Sequence, residues 1–411
     1  MDFMKIELIG STAGFVNVPL EAIALEVEDS PFKTEIMNNM LDFSLKCARV
    51  CYTEKDFQEL LSEKPNQQLL ERLIGSGHHS VFEHMTFNLN FKGIPKALAM
   101  VLNNEKQYAT SEKSARYTKM KDLEPSQRKL YDKWDSRFFE LIANQFPEDN
   151  FPKLYIKGSD GKRPIDKLAQ ENARYITSVF TPTKMVHTLN WRQLNFLMNR
   201  FEEFVSPNEK RNCSDEYAER LEPSMKSFNS QLSGLKVEEM DNQTDRHLSL
   251  FQPVQIQEHF GSDIYSTSYL MSFAGLAQAH RHRTINYNVL DEVKRGAELG
   301  FFIPKLILGK SDLEQEWKTD LDSVAKYDFP QAQLLKVGER GNIEDFRSKT
   351  YLRMCGHAQQ EIMERTLSTA QNYIAFQEKY GLNSLEPKCI QGQKCSSSCV
   401  WGGKNALTRL I

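Results

Sequence analysis

The stretch that most constrains this chain is 278–290, which reads QAHRHRTINYNVL. Three consecutive cationic or titratable side chains, Arg281, His282 and Arg283, follow an apolar run (Leu270, Met271, Phe273, Ala274, Leu276, Ala277) with helical spacing. This predicts a helix with the three in its last turn, where positive charge suits the dipole. Gln278 and Arg281, three apart, then share a face while Arg283 points elsewhere, so the segment suits two different anions. Taken alone, the tripeptide reads more simply as a charged helix end on a solvated surface.

The 411 residues are enough for two domains of ordinary size. With 26% charged and 40% hydrophobic residues the composition is that of a soluble globular protein. Net charge is only −3, so no global basic field argues for nucleic-acid binding, and partners are expected to be small or recognised locally. The first residues, MDFMKIELIG, lack the basic and long apolar regions of a signal peptide, and no stretch has the apolar length of a membrane span. Seven cysteines form no paired framework, which fits a reducing cytoplasm.

In chain order, residues 1–20 alternate like an edge strand and turn, and residues 34–54 have helical periodicity. Cys47 and Cys51 stand one helical turn apart, and buried core thiols are the favoured reading over a two-ligand metal site. Residues 67–75 read as a short helix. Phe87, Leu89 and Phe91 alternate onto one face of a strand, Pro95 stands where a helix can start, and residues 111–117 read as the loop leaving that helix. In that loop Ser114, Arg116 and the amides between them suit a phosphate. Residues 204–247 are polar with few apolar repeats and read as a linker. Arg353, His357 and Glu361, spaced by four, read as one polar stripe on a helix. Near the end, Cys389, Cys395 and Cys399 fall close together among Gly392, Gly402 and Gly403, which suggests zinc ahead of an iron-sulfur cluster, although no fourth ligand is visible. Reduced cysteines in a docked tail are the alternative.

Residues 77–120 carry Gly77, His78, Ser80, Glu83 and His84 at their start and Ser114, Arg116 and Tyr117 at their end. This closely resembles the signature region of flavin-dependent thymidylate synthases, the ThyX family, which runs from Gly-His-x-Ser/Thr-x-x-Glu-His through Gln-x-x-Arg-His-Arg to Ser-x-Arg-Tyr. The Arg-His-Arg is missing here, replaced by Asn104, Glu105 and Lys106. The second stretch reverses the situation: Arg281-His282-Arg283 is intact, and Asp291 stands where Ser is expected. Ala173-Arg174 precedes Asn190 by the interval that separates Ala325-Lys326 from Asn342. The run NWRQLNFLMNR resembles the family's Asn-x-Arg-x-Leu helix, and YLRMCGHAQQEI its Arg-x-x-x-His-Ala-Gln-x-Glu-Ile helix. We read an internal duplication in which each half has kept what the other has lost.

The resemblance implies an α+β fold of two tandem ThyX-like α/β domains forming a pseudo-dimer, each an antiparallel sheet flanked by helices. The expected domains are 1–235, 236–375 and a cysteine-containing tail, 376–411. The implied activity is reductive methylation of dUMP to dTMP with methylenetetrahydrofolate, FAD and NADPH, at one composite site per two halves. Arg353 is the implied catalytic residue, facing the base. Glu112, Ser114, Arg116, Arg174, Gln278 and Arg281 are implied for dUMP, and His78, Ser80, Asn190, Arg192, His282, Arg283 and His357 for FAD and the flavin region. Asn190 reads equally as a helix N-cap. Family members are homotetramers, so a homodimer of this chain is expected. Two alternatives remain open: a flavin-dependent pyrimidine-nucleotide hydroxymethylase or related base modifier, and a non-catalytic nucleotide-binding protein of the same fold.

Overall fold

The computed structural model describes residues 4–12, 31–64, 66–118, 120, 122–206, 209–240, 247–261, 263–380, 385–387, 389–390, 392 and 400–401. Their helices are α1 (Pro31–Arg49), α2 (Phe57–Leu61), α3 (Gln67–Gly75), α4 (Lys96–Leu102), α5 (Pro125–Gln145), α6 (Pro164–Ala173), α7 (Trp191–Phe204), α8 (Asp215–Leu232), α9 (Phe273–Ala279), α10 (Ser311–Ala325), α11 (Ile343–Arg353) and α12 (Gln360–Tyr380). Their strands are β1 (Lys5–Ser11), β2 (Thr86–Pro95), β3 (Tyr108–Glu112), β4 (Pro182–Asn190), β5 (His259–Phe260), β6 (Ile264–Ser272), β7 (Asn286–Val289) and β8 (Leu334–Asn342). The expected mixture of helices with antiparallel sheets is what the chain forms. No helix among the described residues is long and apolar enough to cross a membrane.

Two compact units result, interleaved in sequence: Met1–Lys113, Pro182–Glu209 and Ala218–Ser249 form the first, and Ser114–Thr181, Lys210–Tyr217 and Leu250–Ile411 the second. The first unit holds a sheet in the order β1-β2-β4-β3 and the second a sheet in the order β5-β6-β8-β7. By position these orders are the same.

In the first unit the alternation at Phe87, Leu89 and Phe91 does bury one face of β2, as a half-buried strand requires. β2 carries one irregularity against β4, between Lys92 and Ile94, at Gly93 with φ 74°. Only a residue without Cβ takes that conformation without strain, and the extra residue lets α4 start directly after Pro95. The segment after α4 differs from the expected loop: Ser111 lies in β3, whose residues pair with β4, and the loop begins at Lys113.

The polar segment 204–247 is not a linker throughout, since it contains α8. Tyr217, Ala218, Leu221, Met225, Phe228 and Leu232 are buried at helical spacing, a stripe that Pro223 and the polar residues between them disguise. Cys47 is half-buried, and burial pushes its thiol pKa up; Cys51 is exposed in the turn Val50–Tyr52, so the two are not a buried core pair.

In the second unit the apolar run before Gln278 splits. Leu270 and Met271 pair with Lys336 and Leu335 in the sheet, and Ser272 accepts a hydrogen bond from the Gly275 N–H (3.0 Å) to cap α9. The helix ends at Ala279, so Arg281, His282 and Arg283 lie in the turn beyond it rather than in its last turn. The expected stripe of Arg353, His357 and Glu361 is also interrupted. Arg353 closes α11, His357 lies in the connection 354–359 and Glu361 in the first turn of α12. The break falls at Gly356, where a Cβ would stand 3.1 Å from Trp401.

A core of Tyr131, Trp134, Phe138, Ile165 and Trp317 holds α5, α6 and α10 together, with the rings of Trp134 and Trp317 packed edge to face at 4.7 Å. Cys395 and Cys399 lie outside the described residues, and Cys389 is half-buried. Among the described residues no group of three or more His, Cys, Asp or Glu is arranged to hold a metal.

Candidate active site

α6 starts with Pro164 at its first position and an Arg163–Asp166 capping interaction, so its C-terminal turn is fixed. That turn delivers two consecutive holds on the 114–118 loop. Gln170 Nε2 donates to the Ala115 carbonyl (2.9 Å), and Glu171 Oε2 accepts from Arg116 Nε (2.5 Å). Ser114 Oγ accepts from the Arg116 N–H (3.3 Å), and Arg116 Nη2 donates to the His357 carbonyl (2.6 Å). Next along, Arg174 is buried and donates to Gln359. Gln359 in turn donates to the Tyr175 hydroxyl.

Gln278, on the last turn of α9, joins the predicted residues. With its amide oriented so that both ends are satisfied, its carbonyl accepts from Arg116 Nη1 (3.1 Å) and from Arg353 Nη1 (3.0 Å). Its NH2 donates to Gln359 Oε1 (3.0 Å). Arg353 Nε donates to His282 Nε2 (2.7 Å), and Arg281 is close enough to act on the Arg353 charge. Arg116, Arg174, Gln278 and Arg353 are thus tied into one cluster, with Arg281 at its edge. Arg283 is exposed.

The electrostatics follow from burial. Burial, followed by the charge of Arg116, lowers the Arg353 pKa to about 10, below the value above 12 expected of a guanidinium, yet it remains a cation at neutral pH. Burial also works against Arg116, but Glu171 more than offsets it and the pKa ends above its ordinary value. Arg174 is lowered by burial. His282 is depressed to about 2 by burial and then by Arg353 and Lys349. Of these guanidinium groups Arg174 is buried, Arg116 pairs with the Glu171 carboxylate, and Arg353 keeps its charge at neutral pH despite its desolvation, so the cluster is rich in positive charge.

Glu361 anchors the helix that carries Gln278. Its carboxylate is buried at the start of α9, accepting from Ser272 N (2.6 Å), Ser272 Oγ (2.7 Å) and the Tyr175 hydroxyl (2.8 Å). Gly275 makes room for it, since a Cβ there would stand 2.8 Å from the carboxylate carbon. Burial raises the Glu361 pKa. Sequence reasoning missed Glu171, Gln170 and Tyr175 as holds. The three-residue spacing of Glu171, in the last turn of α6, and Arg174, just beyond its end, was the local signal, because their partners are 55 or more residues away.

The remaining predicted residues belong to the first unit. His78 is exposed at the start of the turn His79–His84, which contains the exposed Ser80. Asn190 caps α7, accepting from the Gln193 N–H (2.7 Å), and Arg192 pairs with Glu83 (2.7 Å). Glu112 is paired with Lys96 (2.6 Å) and accepts from Asn103 (3.3 Å). The turn that replaces Arg-His-Arg is closed: Asn104 Nδ2 donates to Ser249 Oγ (2.8 Å), Ser249 Oγ to the Asn104 carbonyl (3.2 Å), and the Ser249 N–H to Glu105.

Residues 35–225 match the family model described as thymidylate synthase complementing protein. The flavin-dependent thymidylate synthase of Clostridium tetani is 28% identical over 167 residues, covering 37% of this chain, and the chain spans 66% of that relative's length. The flavin-dependent thymidylate synthase of Pseudothermotoga lettingae is 30% identical over 184 residues, covering 43% of this chain and 79% of the relative. Among solved structures, ThyX from Helicobacter pylori complexed with FAD and dUMP aligns at 20% identity, covering 50% of this chain and 86% of that one, with a TM-score of 0.27. So low a score leaves the assignment to the sequence matches, which show that the chain belongs to the flavin-dependent thymidylate synthase family.

Proposed function

We propose that this chain methylates dUMP to dTMP at one composite site, built by a tandem of related halves, 1–235 and 236–375. Ser114, Arg116 and Arg174 come from the first half, and Gln278, Arg281 and Arg353 from the second. The observation that carries the reading is the Gln278 carbonyl lying between Arg116 and Arg353, residues that belong to different halves. The common strand order supports the tandem, as do Asn190 and Asn342, each closing a fourth strand and capping the helix that follows.

In this reading Arg116, Arg174 and Arg281 neutralise and orient the nucleotide phosphate, so that binding energy is converted into alignment of the base. Glu112 belongs to the same set by its place in the family motif. Arg353, a cation at neutral pH, faces the uracil edge and stabilises the negative charge that develops in the ring. Gln278 keeps the two guanidinium groups in register although like charges repel. Asn190 and Arg192, which pairs with Glu83, and separately the exposed Arg283 are assigned to FAD by their places in the family motifs. His78, Ser80, His282 and His357 complete the FAD residues. FAD, when bound and reduced by NADPH, supplies the hydride, and methylenetetrahydrofolate supplies the carbon. A homodimer would then hold two sites where the family tetramer has four.

The test is the visible spectrum and flavin-to-chain ratio of the purified protein with and without dUMP, together with dTMP formation by Arg353→Ala and Arg116→Ala. One flavin per chain, a spectral change on adding dUMP and a loss of roughly a hundredfold in rate for Arg353→Ala are expected. Unchanged synthesis in both variants would sink the composite site.

A further inference from the structure

The hydrogen bonds behind the arginine cluster all run in one direction. A guanidinium has only donors, so the end of Gln278 that meets Arg116 Nη1 (3.1 Å) and Arg353 Nη1 (3.0 Å) is its carbonyl, and its NH2 faces Gln359 Oε1 (3.0 Å). Arg174 donates to the same Gln359 oxygen, which leaves the Gln359 NH2 to donate to the Tyr175 oxygen. The phenolic proton of Tyr175 then goes to Glu361 Oε2 (2.8 Å). Ser272 follows the same rule on the other side of the carboxylate. Its Oγ accepts from the Gly275 N–H (3.0 Å) and gives its proton to Oε2 (2.7 Å), while the Ser272 N–H donates to Oε1 (2.6 Å). Turning round the amide of Gln278 or of Gln359 would set donor against donor.

Glu361 orders the far end of this series. Its side chain is buried, and the three groups that donate to it are uncharged. A carboxylate only accepts, so it directs the hydroxyl of Tyr175, which directs the amide of Gln359, which directs that of Gln278. The arginines order the near end in the same sense. Helix formation does not require any of this. Counted from the start of each helix, Val101 of α4 stands at the place of Gln278 in α9, and Pro95 precedes α4 where Ser272 caps α9, yet the two helices have the same length.

We infer that Tyr175, Gln359 and Glu361 are positioning residues, a one-way series of hydrogen bonds that holds the Gln278 carbonyl toward Arg116 and Arg353. With the carbonyl there, two guanidinium groups share one acceptor and keep fixed directions; with the amide reversed, its NH2 would face two more donors. The consequence for turnover rests on the nucleotide-site reading, whereas the direction of the series does not.

The experiment is a double-mutant cycle on the full chain with Tyr175→Phe and Gln278→Met, read as the denaturant midpoint and, separately, as KM and kcat for dUMP. Tyr175 and Gln278 are joined through Gln359, so a role carried by the series makes their effects non-additive. Tyr175→Phe removes one hydroxyl and should raise the KM for dUMP about tenfold while kcat falls by less than about threefold. In the Gln278→Met background, which has no carbonyl to hold, the same change should move KM by less than about twofold and lower the midpoint by less than it does in the unaltered chain. Glu361→Gln keeps the shape and puts a donor among the acceptors, and should raise KM as Tyr175→Phe does. Midpoint losses that add, KM effects that multiply, or a folded Glu361→Gln with unchanged KM would each overturn the proposal. A chain that neither takes up flavin nor turns over dUMP would count against the synthase reading, and the midpoint cycle would still decide whether the series exists.

Discussion

The two sheets share a strand order and bury opposite kinds of side chain. In the first, Phe87, Leu89 and Phe91 of β2 are buried together with Leu197 of α7, and His187 stacks on Tyr108 at 5.0 Å. In the second, the corresponding face holds Tyr265, Thr267 and Tyr269 with Lys349 and Glu339. The adjoining helices differ in the same sense: Leu98 on α4 stands where α9 has Gly275, which leaves room for the Glu361 carboxylate. An apolar face tolerates any arrangement that fills space, but a buried carboxylate admits only one that satisfies its oxygens. The second sheet therefore fixes directions as well as volumes, and the helices that follow its strands β6 and β8 carry Gln278 and Arg353.

Moving a charge into the first sheet would break this comparison most severely. Leu197→Lys puts an ammonium where no carboxylate stands at the position of His187, and should cost about 3–5 kcal/mol, read as a fall in the denaturant midpoint. A cost below about 1 kcal/mol would mean that the first sheet can accommodate a buried cation and that the contrast is superficial. Filling the notch of the second unit is expected to matter less. Gly275→Ala pushes a Cβ against Glu361 and should destabilise by about 1–3 kcal/mol while weakening nucleotide binding, whereas Leu98→Ala in the first unit should lower stability alone. Thermal melts combined with dUMP titration separate the two.

The smallest effect concerns pH. The folded chain holds the His282 pKa near 2, whereas an unfolded imidazole titrates near about 6.5, so below that value the unfolded state binds a proton that the native state does not. Stability from this group is thus lost as pH falls below about 6.5, at up to about 1.4 kcal/mol per pH unit for one proton. His282→Gln should be less sensitive to acid by about 1 kcal/mol at pH 5.5. Parallel stability curves for the two proteins between pH 7.5 and 5.5 would show that His282 takes up its proton in the folded state.

Much of the first sheet was legible in the sequence because its signals are local. The alternation at 87, 89 and 91 is read within one strand, and Asn190 and Asn342 cap helices through residues three positions away. The site was legible as a set of residues, while its wiring was not. Ser272 looks like an interruption of an apolar run until Glu361, 89 positions on, is seen to accept from it. Arg353, His357 and Glu361 have helical spacing, yet α11 ends at Arg353 and α12 begins at Gln360, with Trp401 packed against Gly356 in the connection between them. The contact of Arg116 with the His357 carbonyl spans 241 residues. Lys349 reads as one more charge in a polar helix, since its burial depends on tyrosines of another strand.

The closed turn of the first unit bears on which substitutions it tolerates. Asn104 and Glu105 grip Ser249 through its hydroxyl and its backbone N–H, so an arginine introduced at 104 or a histidine at 105 would first strip a hydrogen-bonded serine of its partners. Either change therefore costs stability before it can add a cation, and the turn resists the acquisition of positive charge.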